Sequence, residues 1–162
     1  MKRTNDFRPD PKVKTGSATL ADYKGSGYDR GHLAPAADMK WSATAMSESF
    51  YMSNISPQRP GFNRGIWKRL EQLVRSWAVE YEEIHVVTGP VLKGSFKSIG
   101  PNQVSVPEYY YKVVLDYKKP ELKGIGLILA NTNSKKPLQS YAVTIDYVES
   151  ITWIDFFCGF TG

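Results

Sequence analysis

With 162 residues, one cysteine and two histidines, the chain has the size of one domain, no pair for an internal disulfide and too few ligands for a structural zinc site. Its formal net charge of +5 lies in residues 1–81, where 13 Lys or Arg face 8 Asp or Glu and where all seven arginines fall; residues 82–162 balance at 8 against 8. No apolar run is long enough for a membrane helix and the basic start Met1-Lys2-Arg3 leads into polar residues, so neither a membrane contact nor a signal peptide is expected.

Residues 1–30 are rich in Pro, Gly, Lys and Asp, and Arg8-Pro9 and Gly25-Ser26-Gly27 predict an extended, loop-like arm. Tyr28-Asp29-Arg30-Gly31-His32 reads as a strand end. Residues 42–49 suit a short helix, and residues 50–55 a buried strand closed by Ser56-Pro57-Gln58. The clearest element is a helix over about residues 64–81, where Ile66, Leu70, Leu73, Val74, Trp77 and Tyr81 recur at steps of three and four. Residues 84–88 predict a strand stopped by Gly89-Pro90, followed by a Gly, Ser and Lys-rich binding loop reaching Gln103. His85, among apolar neighbours, is read as a strand residue without a chemical part. Residues 109–117 and 124–130 predict a hairpin with a polar turn at Lys118-Lys119-Pro120. Residues 141–145 predict a last strand, and Asp146 a cap for a short helix carrying Val148, Ile151 and Ile154. Neither repeats nor linkers divide the chain, so residues 1–162 read as one domain.

The arginines carry a planar fork that matches phosphate oxygens, so an anionic partner is implied, with a solvated basic face as the plain alternative. Cleaving a phosphodiester requires a base to activate water and positive charge to offset what builds on phosphorus and the leaving oxygen. On an extended segment, Arg30 and His32 point the same way, one suited to phosphate and one to water. Asn63 and Glu71, two four-residue steps apart with about 40° of turn per step, would share a broad helix face. A neutral amide oxygen suits Mg2+, which keeps most of its waters, and Glu71 would bind those waters. The competing structural reading has Asn63 capping the helix and Glu71 pairing with Arg75.

Taken in order, Asp29-Arg30-Gly31-His32, Asn54-Ile55-Ser56-Pro57-Gln58 and Asn63-Arg64-Gly65-Ile66-Trp67 with Leu70-Glu71 closely resemble the DNA/RNA non-specific endonucleases of the ββα-metal superfamily. The resemblance continues through Val87-Thr88-Gly89-Pro90, Val106-Pro107, Tyr111-Lys112-Val113 and Ala142-Val143-Thr144-Ile145-Asp146, covering nearly the whole chain. It implies an α+β fold: a mostly antiparallel central sheet flanked by helices, with a ββα-metal active-site unit. It also implies Mg2+-dependent endonucleolytic cleavage of DNA and RNA without sequence preference, leaving 5′-phosphates, with Mn2+ as a substitute ion.

By the same resemblance His32 is the general base, Asn63 the direct metal ligand and Glu71 the carboxylate that orients metal-bound water. Arg30 and Arg3 hold phosphate, Arg64 adds a substrate contact, Asn54 supports the histidine, and Asp29 has a structural role. The family's sheet begins upstream of the first arginine, so an N-terminal edge strand is expected to be lacking, and Trp153 stands where a glycine usually ends the last helix. DNA and RNA are the implied partners; a homodimer and an inhibitor protein stay open. A secreted or periplasmic location is expected. The rival from another class is a basic module that binds nucleic acid through Arg and Tyr without cutting it.

Overall fold

The computed structural model describes residues 2–118 and 122–156. In chain order its helices are α1 (Leu20–Tyr23), α2 (Ala43–Glu48), α3 (Lys68–Glu80) and α4 (Ile145–Thr152). Its strands are β1 (Asp29–His32), β2 (Ile55–Gln58), β3 (His85–Pro90), β4 (Lys97–Ile99), β5 (Val104–Val106), β6 (Tyr109–Asp116), β7 (Lys123–Ala130) and β8 (Ala142–Val143).

The central sheet is antiparallel throughout, in the order β3-β6-β7-β8. Helices cover both of its faces. Alternation along β6 sends Tyr110 and Val114 toward Phe62, Ile66, Trp67, Leu70 and Val74, and sends Tyr111 and Val113 toward Val148 of α4. This two-sided burial explains why β6 reads as an almost unbroken apolar run. The expected α+β class and the expected hairpin, β6 with β7, are both present; turn residues 119–121 and Cys158 lie outside the described residues.

A two-stranded ribbon, β1 with β2, packs beside this sheet, with Asp29 opposite Gln58 and His32 opposite Ile55. Such a ribbon is marginal alone and needs docking. The Tyr110 hydroxyl donates to the Pro57 carbonyl (2.9 Å) and shares a hydrogen bond with the Ser56 hydroxyl (2.7 Å). The buried Asn131 amide donates to the carbonyls of Pro57 and Pro107, both at 3.0 Å.

Several expected boundaries move. Phe50 and Met52 are buried as predicted, but Met52–Asn54 is a single 3₁₀ turn and the strand starts at Ile55, running through Pro57. Proline fits there because the ribbon has only two strands and the Pro57 carbonyl, not its missing N–H, makes the tertiary contacts. The long helix begins at Lys68; Phe62–Trp67 ahead of it is wound more widely, with Gly65 at φ −105°, ψ −108°, outside helical space. The stretch read as a loop up to Gln103 contains the small hairpin of β4 and β5.

The last strand shrinks to two residues because Thr144, not Asp146, caps α4, its hydroxyl accepting from the Tyr147 N–H at 3.2 Å. Trp153 ends α4 in the left-handed region (φ 59°), which leaves Ile154 beyond the helix. The N-terminal arm is extended apart from α1, and it is tied down where the Met52 N–H donates to the Arg8 carbonyl at 2.9 Å.

Gly31 faces the fully buried side chain of Gln58, and a methyl group built on it would overlap that side chain. Gly31→Ala is therefore expected to cost about 1–3 kcal/mol through overpacking, read as a lower urea midpoint with an unchanged slope.

Candidate active site

The site lies where the ribbon, the arm and the start of α3 meet. Asp29, at the head of β1, accepts from the Asn63 side-chain N–H (Nδ2, 2.9 Å) and from two nitrogens of Arg64 (2.7 and 2.6 Å). Burial alone would raise the Asp29 carboxyl, but the Arg64 and Asn63 hydrogen bonds outweigh it and hold the group below the usual carboxylate range. With Nδ2 committed to Asp29, the Asn63 amide is oriented, and its Oδ1 accepts no hydrogen bond among the described residues. Asn63 therefore does not cap the helix. Arg75 pairs with Asp38 at 2.8 Å, so it does not pair with Glu71. Both parts of the structural reading of these residues are set aside.

His32, at the other end of β1, is 8% exposed and packs edge-on against Phe50 (4.8 Å between ring centres) and against Phe7 of the arm (5.6 Å). Its Nε2 is buried without a hydrogen-bond partner. Burial, helped by the Arg3 guanidinium, pushes the imidazole down to about 4. It is neutral at ordinary pH, so a ring nitrogen has a lone pair free to accept a proton.

The same two rings organise the arginines: Arg30 lies 4.3 Å over Phe7 and Arg3 5.4 Å over Phe50. Arg3, Arg30, Phe7, Asp29 and Asn63 line one open cleft of about 530 Å³. Arg64 stands at its edge, largely exposed, with two of its nitrogens on Asp29.

Asn54 is a clamp for the chain that follows His32. Both hydrogens of its amide go to carbonyls, those of Ala34 and Ser49 (2.9 Å each), and its Oδ1 accepts from the Ala34 N–H (2.9 Å). These bonds also occupy the nitrogen a glycan would need, so the Asn54-Ile55-Ser56 pattern is structural.

Glu71 does not share a regular helix face with Asn63, because the wide turn at Gly65 breaks the expected count. It lines a neighbouring cavity of about 410 Å³ with Asn54, Asp38 and Lys112. Burial raises the Glu71 carboxyl to about 7 against the pull of Lys112 and Arg75. Lys112 is 1% exposed, donates to the Thr88 hydroxyl (2.7 Å) and lies 4.9 Å over the Trp67 ring. Arg3 contributes to the field at both His32 and Glu71, so the two cavities share one electrostatic environment.

Sequence reasoning missed Phe7, whose only signal is an aromatic residue in a polar arm. It left Lys112 ambiguous, although one cation within the apolar run 109–115 marks an inward-facing charge.

This arrangement fits a phosphoester hydrolase, and comparison with known proteins narrows the class. Residues 1–161 match the model of the family described as DNA/RNA non-specific endonuclease. Human mitochondrial endonuclease G is 37% identical over 162 residues, covering 91% of this chain and 54% of that protein. Nuclease C1 of Cunninghamella echinulata var. echinulata is 39% identical over 165 residues, covering 93% of this chain and 66% of that protein. A chain in the crystal structure of an EndoG/EndoGI complex superposes with a TM-score of 0.90 at 31% identity, over 96% of this chain and 70% of that one. The chain belongs to the DNA/RNA non-specific endonuclease family, a family of nucleic-acid-hydrolysing enzymes. It spans about half the length of the first curated relatives it matches.

One expectation is overturned. Relatives from human, Xenopus laevis and Schizosaccharomyces pombe are named as mitochondrial, against the expected secreted or periplasmic location.

The His32 environment has a consequence for stability. The unfolded imidazole titrates near 6.5 and the folded one at about 4, so the unfolded chain takes up the proton first. The stability that neutral His32 contributes is full above pH 6.5 and is lost as pH falls toward 4, by up to about 3 kcal/mol. Denaturation across this window is expected to show the loss in the wild type and a flatter profile in His32→Asn.

Proposed function

We propose that residues 1–162 form one domain of a Mg2+-dependent endonuclease that hydrolyses DNA and RNA without sequence preference and leaves 5′-phosphates. The observation that carries this reading is the Asp29 hydrogen bond to Asn63, which leaves the Asn63 Oδ1 free beside an arginine-lined cleft and a dry, neutral His32. One oriented amide oxygen fits Mg2+, or Mn2+ in its place, better than metals that require several nitrogen or sulfur ligands. Asn63 would hold the ion directly and Glu71 would accept hydrogen bonds from its waters.

Arg3 and Arg30, with Arg64 at the rim, bind and orient the phosphate. Asn54 fixes the backbone after His32, and Phe7 and Phe50 keep the imidazole dry. His32 takes a proton from water through Nδ1; the resulting oxygen bonds to phosphorus as the bond to the 3′ oxygen breaks, and that oxygen takes a proton from solvent, leaving a 3′-hydroxyl and a 5′-phosphate. When bound, the ion supplies positive charge that lowers the cost of the negative charge emerging on the leaving oxygen. The groups assigned to substrate, Arg3, Arg30 and Arg64, address the phosphate and none is assigned to a base edge, which accounts for indifference to sequence. The inhibitor in the EndoG/EndoGI structure supports an inhibitor protein as a second partner for this fold.

His32→Ala is expected to lower turnover at least about a hundredfold while DNA binding persists, as for loss of a general base. Near-normal cleavage by that variant, in a plasmid-nicking assay beside a binding measurement, overturns the assignment. Asn63→Ala is expected to shift half-maximal Mg2+ to at least about tenfold higher concentration. Chelation should abolish nicking by the wild type, and activity that survives EDTA would remove the metal role. Tight binding without nicking at any Mg2+ concentration would favour a binding module instead.

A further inference from the structure

Beside the cleft lies a second cavity, of about 640 Å³, between the ribbon, the β4–β5 hairpin and the start of β6. Tyr28 lines both, so the two cavities are neighbours. Arg59 and Lys97 border the second cavity; both are exposed, and among the described residues neither side chain makes a salt bridge or hydrogen bond. That separates Arg59 from Arg8, Arg64 and Arg75, each paired with an aspartate.

The position of Arg59 is built. Its backbone N–H donates to Asn131 Oδ1 (2.8 Å), the same buried residue that fastens β2 to the sheet, and its guanidinium lies 5.8 Å from the centre of the Tyr28 ring. Tyr109, 46% exposed at the start of a central strand, lines the same cavity. Glu108 also lines the cavity, leaving two cations against one carboxylate; a cation held over one aromatic ring, a second cation and a further exposed ring are elements that a single-stranded backbone and its unstacked bases engage.

We propose that this second cavity is a nucleotide subsite flanking the scissile phosphate, in which Arg59 and Lys97 hold a neighbouring phosphate and Tyr109 stacks on the attached base. The inference rests on the endonuclease reading for the identity of the ligand. It also assigns work to the Lys-rich stretch between β3 and β5, none of whose residues lines the cleft.

The test uses the double variant Arg59→Gln/Lys97→Gln, and separately Tyr109→Ala, with a single-stranded oligonucleotide of about 12 nucleotides and with a dinucleotide. Binding of the longer strand is followed by fluorescence anisotropy in EDTA, and cleavage of both substrates in Mg2+. The double variant should bind the longer strand about tenfold more weakly, with the slope of log affinity against log salt shallower by about 1.4. The advantage of the longer strand over the dinucleotide in KM should shrink by a similar factor, and Tyr109→Ala should weaken binding with the salt slope unchanged.

Equal affinity and an equal length advantage in folded variants overturn the subsite and assign the cavity to another ligand. A wild type that binds in EDTA but never cleaves removes the endonuclease reading alone, because the binding difference still decides the subsite. A wild type that binds no oligonucleotide removes both.

Discussion

One carboxylate holds the site together. Asp29 ends the turn that enters β1 and receives both the Asn63 amide and the Arg64 guanidinium, joining the ribbon to the wide turn that leads into α3. Without it, nothing among the described residues fixes which end of the Asn63 amide faces the cleft. An amide oxygen is a weak ligand, and in the proposed metal role this one would not have to be oriented when the ion arrives. The cost of placing Asp29 beside the cleft is offset by Arg64, so the carboxylate stays charged.

The second organising theme is the division of wet from dry. The cleft that carries Arg3, Arg30 and Asn63 is open, while His32 sits behind two phenylalanines and Glu71 and Lys112 lie in a half-enclosed cavity on its flank. Charges in the open cleft are free to meet phosphate and to exchange counterions. The buried groups are shifted toward neutrality, His32 and Lys112 downward and Glu71 upward, and each shift follows first from lost water. The apolar core beneath, with Tyr110 and Trp67 at its centre, keeps these two environments at a fixed separation.

Much of this was legible in the sequence because several signals are local. The stripe from Ile66 to Trp77, the apolar runs of β6 and β7, and the motif at residues 29–32 each announce an element within a few residues, and the order of motifs identifies the family. What was not legible depends on contacts distant in sequence. Asp29 competes with helix capping for Asn63 across 34 residues and Asp38 with Glu71 for Arg75 across 37, so local pairing rules gave the wrong partners. Gly65 leaves helical space although its neighbours are regular helix formers, which displaced the face assigned to Glu71. The short β8 and the Thr144 cap shifted because a threonine hydroxyl two residues earlier satisfied the helix start before Asp146 was reached. Location was misjudged because it is an address read by other machinery, not a property of the fold.

The arm bears on how such an enzyme is free to diverge. Phe7 shields the imidazole from a segment that is separate from the strand bearing it, fastened by a bridge at Arg8 and Tyr51 and by hydrogen bonds that tie Asp6 and Arg8 to Ser47 and Asp10 to Ser53. Under the proposed mechanism, the base and the dryness that sets its proton affinity are thus encoded at different places. Exchange of the Phe7 ring would admit water to the imidazole and raise that affinity while His32 and Asn63 stay where they are. A residue outside the strand pair would then be a dial for the imidazole that leaves the rest of the site untouched.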